Sequence, residues 1–247
     1  MNDRQSRILE LLSQGELTLV KTMSQELSVS SVTIRQDLAY LEEEGLVKRV
    51  HGGAVLGESD DIRSRLGVNY EKKILVARKA ASLVRDGETI FIESGSVNAL
   101  LARELLKRSS LTVLTTNLFI ARQMRKGSHV QVIVVGGIYQ HQSESLVGQL
   151  AKQFIGQVNF GKAFVGIDGF SPEAGFTCRD MMRAEIAAQI IERSRESYVL
   201  TDSSKFGRSE LQTICRTDQV DWVISDEGIP KESREVLLRN GVQLLIA

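Results

Sequence analysis

Cysteine is scarce in this chain. Cys178 and Cys215 stand far apart with no Cys-x-x-Cys spacing, which argues against a metal or redox centre and fits a reducing cytosol. Charge of one sign is lacking too: 31 basic side chains meet 31 acidic ones, so no whole-molecule field points to nucleic acid. No apolar run approaches the roughly eighteen residues that a membrane span needs. The opening MNDRQSRILELL is too polar and too charged for a secretory signal. These absences lead us to expect a cytoplasmic protein without a membrane partner. There are only three histidines, His51, His129 and His141, and no Ser-His-Asp arrangement or metal-ligand cluster stands out. We therefore expect no cofactor and no metal. Aromatics are sparse at 5%, yet 42% of residues are apolar, enough for a sizeable core. The length of 247 residues suits a small domain followed by a larger one.

Residues 1–57 carry three helical patterns. Ile8, Leu9, Leu11 and Leu12 give the first an apolar face, and Leu19, Met23 and Leu27 repeat one turn apart in the second. Ser30 is placed to cap the third. In that helix Ile34, Leu38 and Leu41 share one side, while Val32, Arg35, Gln36, Ala39 and Tyr40 share the other, and Gly45 is a natural stop. Short β-like runs then surround Gly52-Gly53, as a hairpin would show. Helix, turn, capped helix and hairpin make the winged helix-turn-helix order. One face of the third helix must lock onto its partners while the other enters the major groove. Arg35 can reach guanine O6 and N7, Gln36 can pair with adenine, and Val32 or Thr33 can touch a thymine methyl. Lys48, Arg49 and His51 on the hairpin would meet phosphates or the minor groove. The competing reading is an ordinary small bundle. Residues 1–57 hold six Lys/Arg against eight Asp/Glu, so the usual basic footprint is missing. If DNA is bound, Glu42 to Glu44 must face away from it.

The segment 58–70 is polar, mixed in charge and without a clean period, and reads as a linker. From residue 71 to 247 amphipathic helices alternate with short runs rich in Val, Ile and Leu, including a helix over 144–158. This pattern predicts an α/β domain with a mostly parallel sheet covered on both faces. Small, hydroxyl and acidic residues collect where the strands stop: Glu93-Ser94-Gly95-Ser96, Thr115-Thr116-Asn117, Gly136-Gly137, Asp168-Gly169 and Thr201-Asp202-Ser203-Ser204-Lys205. In open α/β sheets, ligands bind beyond those carboxyl ends. Gly95 allows a tight turn, the free amides of the next helix favour an anion, and Lys205 could supply a cation. A phosphorylated small molecule fits that chemistry. The plainer alternative is a tight turn with Ser96 or Asn98 as a cap. The pattern matches neither Walker A nor GxGxxG.

An enzymatic reading, a sugar-phosphate isomerase or deaminase carrying a DNA-binding head, would need a base and a positioned acid. Glu93, Asp168 and Asp202 are candidate carboxylates and Lys205 a candidate electrophile. No spacing pairs them, and an Asp202–Lys205 pair serving as loop scaffolding explains them at least as well. We expect no catalysis.

The run VSSVTIRQDLAYLEEEGLVKRVHGGAVL resembles the signature of the DeoR family of bacterial transcriptional regulators. The resemblance implies that Ser31, Thr33, Arg35 and Gln36 belong to a recognition helix, and His51 to Ala54 to its wing. It continues through ESGS, TTN, VVGG and TDSSKFGR, and so covers nearly the whole chain. It implies an effector domain similar in fold to sugar-phosphate isomerases, with a sugar-phosphate-type effector at Ser94 to Ser96, Thr116-Asn117, Gly136-Gly137 and Lys205. Within the family, segments such as SESLVGQL and GFTCRDMMRAEI look most like the YciT-type regulators. Two departures stand out. The first loop usually has two threonines after its glycine, where this chain has Ser96-Val97. The segment after GFT often reads Glu-Ala followed two residues on by Lys-Arg, where this chain has Arg183-Ala184 and then Ala187-Ala188. Arg179 or Arg183 could compensate by binding an acidic group, or both could lie on a solvated helix face, the reading favoured here. A ligand-responsive repressor acting on double-stranded operator DNA as a homodimer or homotetramer is the resulting expectation.

Overall fold

A computed structural model describes residues 2–13, 17–43, 46–55, 62–127 and 129–247. The chain divides into two compact units, Met1–Glu71 and Lys72–Ala247. Glu44, expected to face away from DNA, Gly45, expected as a helix stop, and residues 58–61, expected to open the linker, lie outside the described residues.

The first unit holds α1 (Asp3–Ser13), β1 (Thr18–Leu19), α2 (Val20–Glu26), α3 (Ser31–Glu43), β2 (Lys48–Val50), β3 (Gly53–Val55) and α4 (Ile62–Gly67). Its core is made by Ile8, Leu9, Leu12, Met23, Ile34, Leu38 and Leu41, the apolar faces expected of the three helices. Leu11 and Leu27 are only half-buried, and Leu19 is exposed. It pairs with Gly53 in a three-stranded antiparallel sheet of order β1-β3-β2, and Val20 takes its place on the buried side of α2. The sheet closes because Gly53 has no side chain: a Cβ there would lie 2.4 Å from the Thr18 carbonyl oxygen. Ser30 caps α3 as expected, its Oγ accepting from the Thr33 amide at 3.1 Å. Residues 62–67, inside the expected linker, form α4, whose Ile62 and Leu66 sit one turn apart and are both buried.

The second unit is built on a seven-stranded sheet of order β15-β14-β12-β9-β4-β5-β6, parallel throughout. In chain order, α5 (Tyr70–Ser82) leads to β4 (Thr89–Ile92), α6 (Ser96–Glu104), β5 (Leu111–Thr115), α7 (Leu118–Met124) and β6 (Val130–Val134). A hairpin of β7 (Ile138–Gln140) and β8 (Ser145–Val147) precedes α8 (Gln149–Gln157) and β9 (Lys162–Gly166). Next come β10 (Gly169–Ser171), β11 (Gly175–Cys178), α9 (Met181–Arg193), β12 (Glu196–Leu200), β13 (Gln212–Cys215), β14 (Trp222–Ser225), α10 (Lys231–Arg239) and β15 (Gln243–Ile246). Strands β4, β9, β12 and β14 are almost wholly buried, which is why they read as continuous apolar runs. Phe164, Tyr198 and Trp222 are register partners on β9, β12 and β14, and their rings stack at 5.1 and 5.9 Å.

The helix expected over 144–158 is corrected. Residues 145–147 form β8, and the helix begins at Gln149 after Gly148 at φ +90°. The short antiparallel strands β7, β10, β11 and β13 had no clear period in the sequence, since each spans only three or four residues.

Candidate functional site

On the first unit the cap and the apolar stripe together fix which side of α3 faces out. Val32 is 60% exposed, Arg35, Gln36, Ala39 and Tyr40 are also exposed, and Ser31 and Thr33 are half-buried. The sequence thus correctly separated the two sides of this helix. Asp37 falls on the inner side. Its carboxylate is buried and accepts from Arg4 Nε at 2.6 Å and Gln5 Nε2 at 3.0 Å, which pins α1 to α3. Lys48, Arg49, Val50 and His51 are exposed along β2 and the turn. Glu42 accepts from the Arg49 amide at 3.0 Å, with the Arg49 guanidinium 3.8 Å away. Glu42 therefore braces the hairpin, and its charge is partly offset by the arginine it holds.

In the second unit the strand order reverses between β4 and β9. The chain moves outward from β4 through β5 to β6, then returns to β9 and moves the other way. A crevice opens at the carboxyl ends on either side of such a reversal. The residues gathered there are polar and buried: Glu93, Ser94 and Ser96 after β4, Thr115, Thr116 and Asn117 at the end of β5, and Asp168 after β9.

Gly95 takes φ +111°, a conformation that an L side chain rarely adopts, and α6 starts directly after it with no side-chain cap. Neither Ser96 nor Asn98 caps this helix. Asn98 Nδ2 instead donates to the carbonyls of Ser94, at 2.7 Å, and Phe164, at 3.1 Å. The first amides of α6 are left to other acceptors. Ser94 Oγ lies 3.0 Å from Ser145 Oγ, and Asn117 donates to the Ser143 carbonyl at 2.8 Å while its Oδ1 caps α7 through the Ile120 amide at 3.0 Å. The hydroxyl of Thr116 is buried and has no hydrogen-bond partner among the described residues. Of the two glycines after β6, a Cβ at Gly136 would meet open space. Gly137 lies at φ +154°, and a Cβ there would lie 2.5 Å from the Val147 carbonyl oxygen, so it serves the approach of the hairpin.

Charge is arranged in two groups. Glu93 is fully buried, and burial pushes its carboxyl up from 4.5 to about 7, against the opposing pull of the Ser94 amide, Arg183 and the Gly166 amide. Asp168 accepts from the Arg179 amide at 3.2 Å and from Cys178 Sγ at 3.4 Å, with the Arg183 guanidinium 3.7 Å away. Arg183 is itself buried, so the favoured expectation of a solvated face is corrected for it. It flanks the apolar stripe of α9 and turns inward to Asp168. Arg179 is exposed and pairs with Glu210 at 3.1 Å.

The second group lies at the ends of β12 and β14. Asp202 is buried. Burial works to raise its carboxyl, but Lys73 at 3.9 Å, the Ser204 contacts and Lys205 hold it below 3.8. Lys73 joins the loop expected to be held by Asp202 and Lys205: it lies 3.9 Å from the Asp202 carboxylate, while Lys205 adds its charge and its amide donates to the Asp202 carbonyl at 3.3 Å. Lys73 is one of the most enclosed charges in the molecule, with a relative exposure of 4%, and the sequence marked it only as part of a helical pattern. Its neighbour Lys72 reaches Ser203 Oγ at 3.0 Å and Asp226 at 3.3 Å. Among the described residues no group of His, Cys, Asp and Glu could hold a metal, and no helix is long and apolar enough to cross a membrane. A separate surface groove of about 530 Å³ runs between α8 and α9. Its lining of glutamines, Lys152, Glu185 and Glu192 shares no residue with the crevice, and the Oε1 of Gln189, one of those glutamines, is buried without a hydrogen-bond partner among the described residues.

Comparison with known proteins agrees with both halves. The family model described as the DeoR-like helix-turn-helix domain matches residues 4–60, and that described as the DeoR C terminal sensor domain matches residues 68–227. The chain is 33% identical, over 99% of its length and 98% of the relative's, to the HTH-type transcriptional regulator GolR of Listeria innocua serovar 6a. It is 31% identical to the glycerol-3-phosphate regulon repressor of Escherichia coli strain K12, over 98% of this chain and 97% of that one. Relatives of this kind are named regulators and repressors, and the enzymatic reading finds no support among them. Among solved structures, ribose 5-phosphate isomerase A from Methanocaldococcus jannaschii is similar with a TM-score of 0.42 and 20% identity, over 56% of this chain and 55% of that one. A likeness of that size does not bear on activity.

Proposed function

The chain belongs to the DeoR family of transcriptional regulators, and from that premise we propose that it is a repressor whose grip on operator DNA is set by a phosphorylated metabolite held at the carboxyl ends of β4 and β5. The outward side of α3 is the reading surface. Arg35 and Gln36 meet base edges there, with Ser31, Val32 and Thr33 at the leading end, and Lys48, Arg49 and His51 hold the backbone. The phosphate sits against the uncapped amides of α6 and the hydroxyls of Ser94, Ser96 and Thr116. Asn117 fixes the loop, and Lys205 contributes charge. The observation that carries this reading is Thr116: a hydroxyl enclosed at a strand end without a partner is costly unless a ligand oxygen satisfies it. The name of the Escherichia coli relative supports a small phosphorylated polyol or sugar as the ligand class. The protein would work in the cytoplasm as a dimer or tetramer, because one short recognition helix reads too few bases for tight binding alone.

The test is a gel-shift titration on the DNA upstream of the protein's own gene, run with and without a panel containing glycerol 3-phosphate, ribose 5-phosphate and fructose 1-phosphate. At least one compound should change operator affinity about 5- to 150-fold, the range of ordinary coupling energies. Specific binding that no member of the panel alters would exclude these metabolites as effectors.

A further inference from the structure

Three elements of the larger unit meet on one apolar surface. Gly148, between β8 and α8, marks the meeting point: a Cβ there would lie 3.2 Å from Ile138 Cδ1 on β7 and 3.5 Å from Met182 Cε on α9. Leu150 follows in the first turn of α8, and Met181 stands beside Met182 in the first turn of α9. All four side chains are exposed, Leu150 by 70% and Ile138 by 60%. The hairpin is tied to the start of α9, since Gln140 Nε2 donates to Asp180 Oδ2 at 2.9 Å. From their fractional exposures the four residues show water roughly 400 Å², a size at which an apolar patch is commonly functional.

The groove between α8 and α9 starts at the edge of this patch. Gln149 precedes Leu150, and Glu185 lies one helical turn from Met181. The groove is polar, and the buried Oε1 of Gln189 within it is costly unless a donor enters. An apolar centre with a polar border is the build of an interface between folded chains. A standard interface takes about 800 Å² from each partner, so the four side chains serve as its centre and the groove as its border. The charges suit a surface that meets its own image. The four central residues carry none, and the groove carries both signs, with Lys152 Nζ 3.1 Å from Glu185. A border of one sign would repel its copy across a two-fold axis. The whole chain is neutral, with 31 charges of each sign, so two copies approach without long-range repulsion.

We propose that a second copy of this chain docks here about a two-fold axis, with Ile138, Leu150, Met181 and Met182 at the centre of the contact. Methionine suits such a centre, because an unbranched thioether adapts to the surface that covers it. The proposal rests on the dimer-or-tetramer reading given above and adds the place of the contact to it. In a dimer this face joins the two chains. In a tetramer it is one of the joining faces, and losing it halves the assembly.

Sedimentation of the full-length protein over a range of concentrations tests this, with each variant checked for a native thermal transition. Ile138→Asp and Leu150→Asp each place an unpaired charge at the centre of the contact. Each should halve the mass at concentrations where wild type is assembled, with a dissociation constant raised about 100-fold or more. Leu238→Asp is the control. Leu238 is the sole exposed large apolar side chain on α10, and its variant should keep the wild-type mass. If wild type sediments as a single chain throughout, the dimer-or-tetramer reading fails and this contact falls with it. If wild type assembles and both patch variants assemble equally well, that reading survives and the place assigned to the contact is overturned. Dissociation of Leu238→Asp to the same degree also overturns it, since the effect would not belong to the patch. Should either patch variant lose its native transition, Met181→Asp replaces it, with the same mass expected and the same result against.

Discussion

Glu93 offers a test of the crevice that needs no ligand. Its carboxyl is enclosed at the end of β4 and titrates at about 7, where an unfolded chain would titrate it at 4.5. Between those values the folded form keeps a proton that the unfolded form has lost. Stability therefore falls as pH rises through this window and levels off above it. At about 1.36 kcal/mol for each factor of ten in proton affinity, the loss by about pH 8 is on the order of 3 kcal/mol. Glu93→Gln removes the titration but keeps an oxygen for the Ser94 and Gly166 amides. Trp222, the sole tryptophan, lies in the larger unit against Tyr198, so its fluorescence reports the unfolding of that unit in urea. The variant should match wild type at about pH 4 and exceed it by up to about 3 kcal/mol at about pH 8. Asp202 and Asp226 are held below 3.8, so their contributions are lost only at more acid pH and do not enter this window. A difference between variant and wild type that stays constant from about pH 5 to about pH 8 would refute the buried, protonated carboxyl.

Other expectations concern the head. Arg35→Ala should weaken specific DNA binding by about 1–3 kcal/mol and relax discrimination at one base position. Because Arg35 is exposed, thermal stability should not change, and operator titrations beside a melting curve separate the two. Gly53→Ala places a Cβ where the Thr18 carbonyl oxygen lies 2.4 Å away. Strand β1 must then give way, at about 1–3 kcal/mol of overpacking. A head that melts like wild type would show that the strand moves at no cost. Ser30→Ala removes the α3 cap and should cost about 1 kcal/mol, read in the same melts.

Much of this was legible in advance. The sides of α3 could be read because a helix repeats every 3.6 residues, so the exposed positions were set once the buried ones were known. The parallel sheet could be read because its strands are buried on both faces and leave continuous apolar runs. The small hairpins could not. Strands β7 and β8 span three residues each, too few for a period, and the apolar Leu146 and Val147 ran on into the pattern of α8. What divides strand from helix there is Gly148 at φ +90°, a backbone angle that glycine permits but does not announce.

Buried charges were the least legible, because each is explained by a partner on a different element. Arg183 is a clear case. Next to Ala184 at the edge of a helical stripe it reads as solvated, and only the chain's return through β10 and β11 brings it within 3.7 Å of Asp168. Both side chains are almost wholly enclosed. Removing the guanidinium therefore strands a carboxylate, which typically costs about 3–5 kcal/mol. Arg183→Met should lose that much, measured by urea unfolding of the larger unit. Adding Asp168→Asn should restore a good part of it, because the stranded charge is then gone. A surface pair would lose less than about 1 kcal/mol and show no such recovery. If the single variant is as stable as wild type, Arg183 is not committed to Asp168.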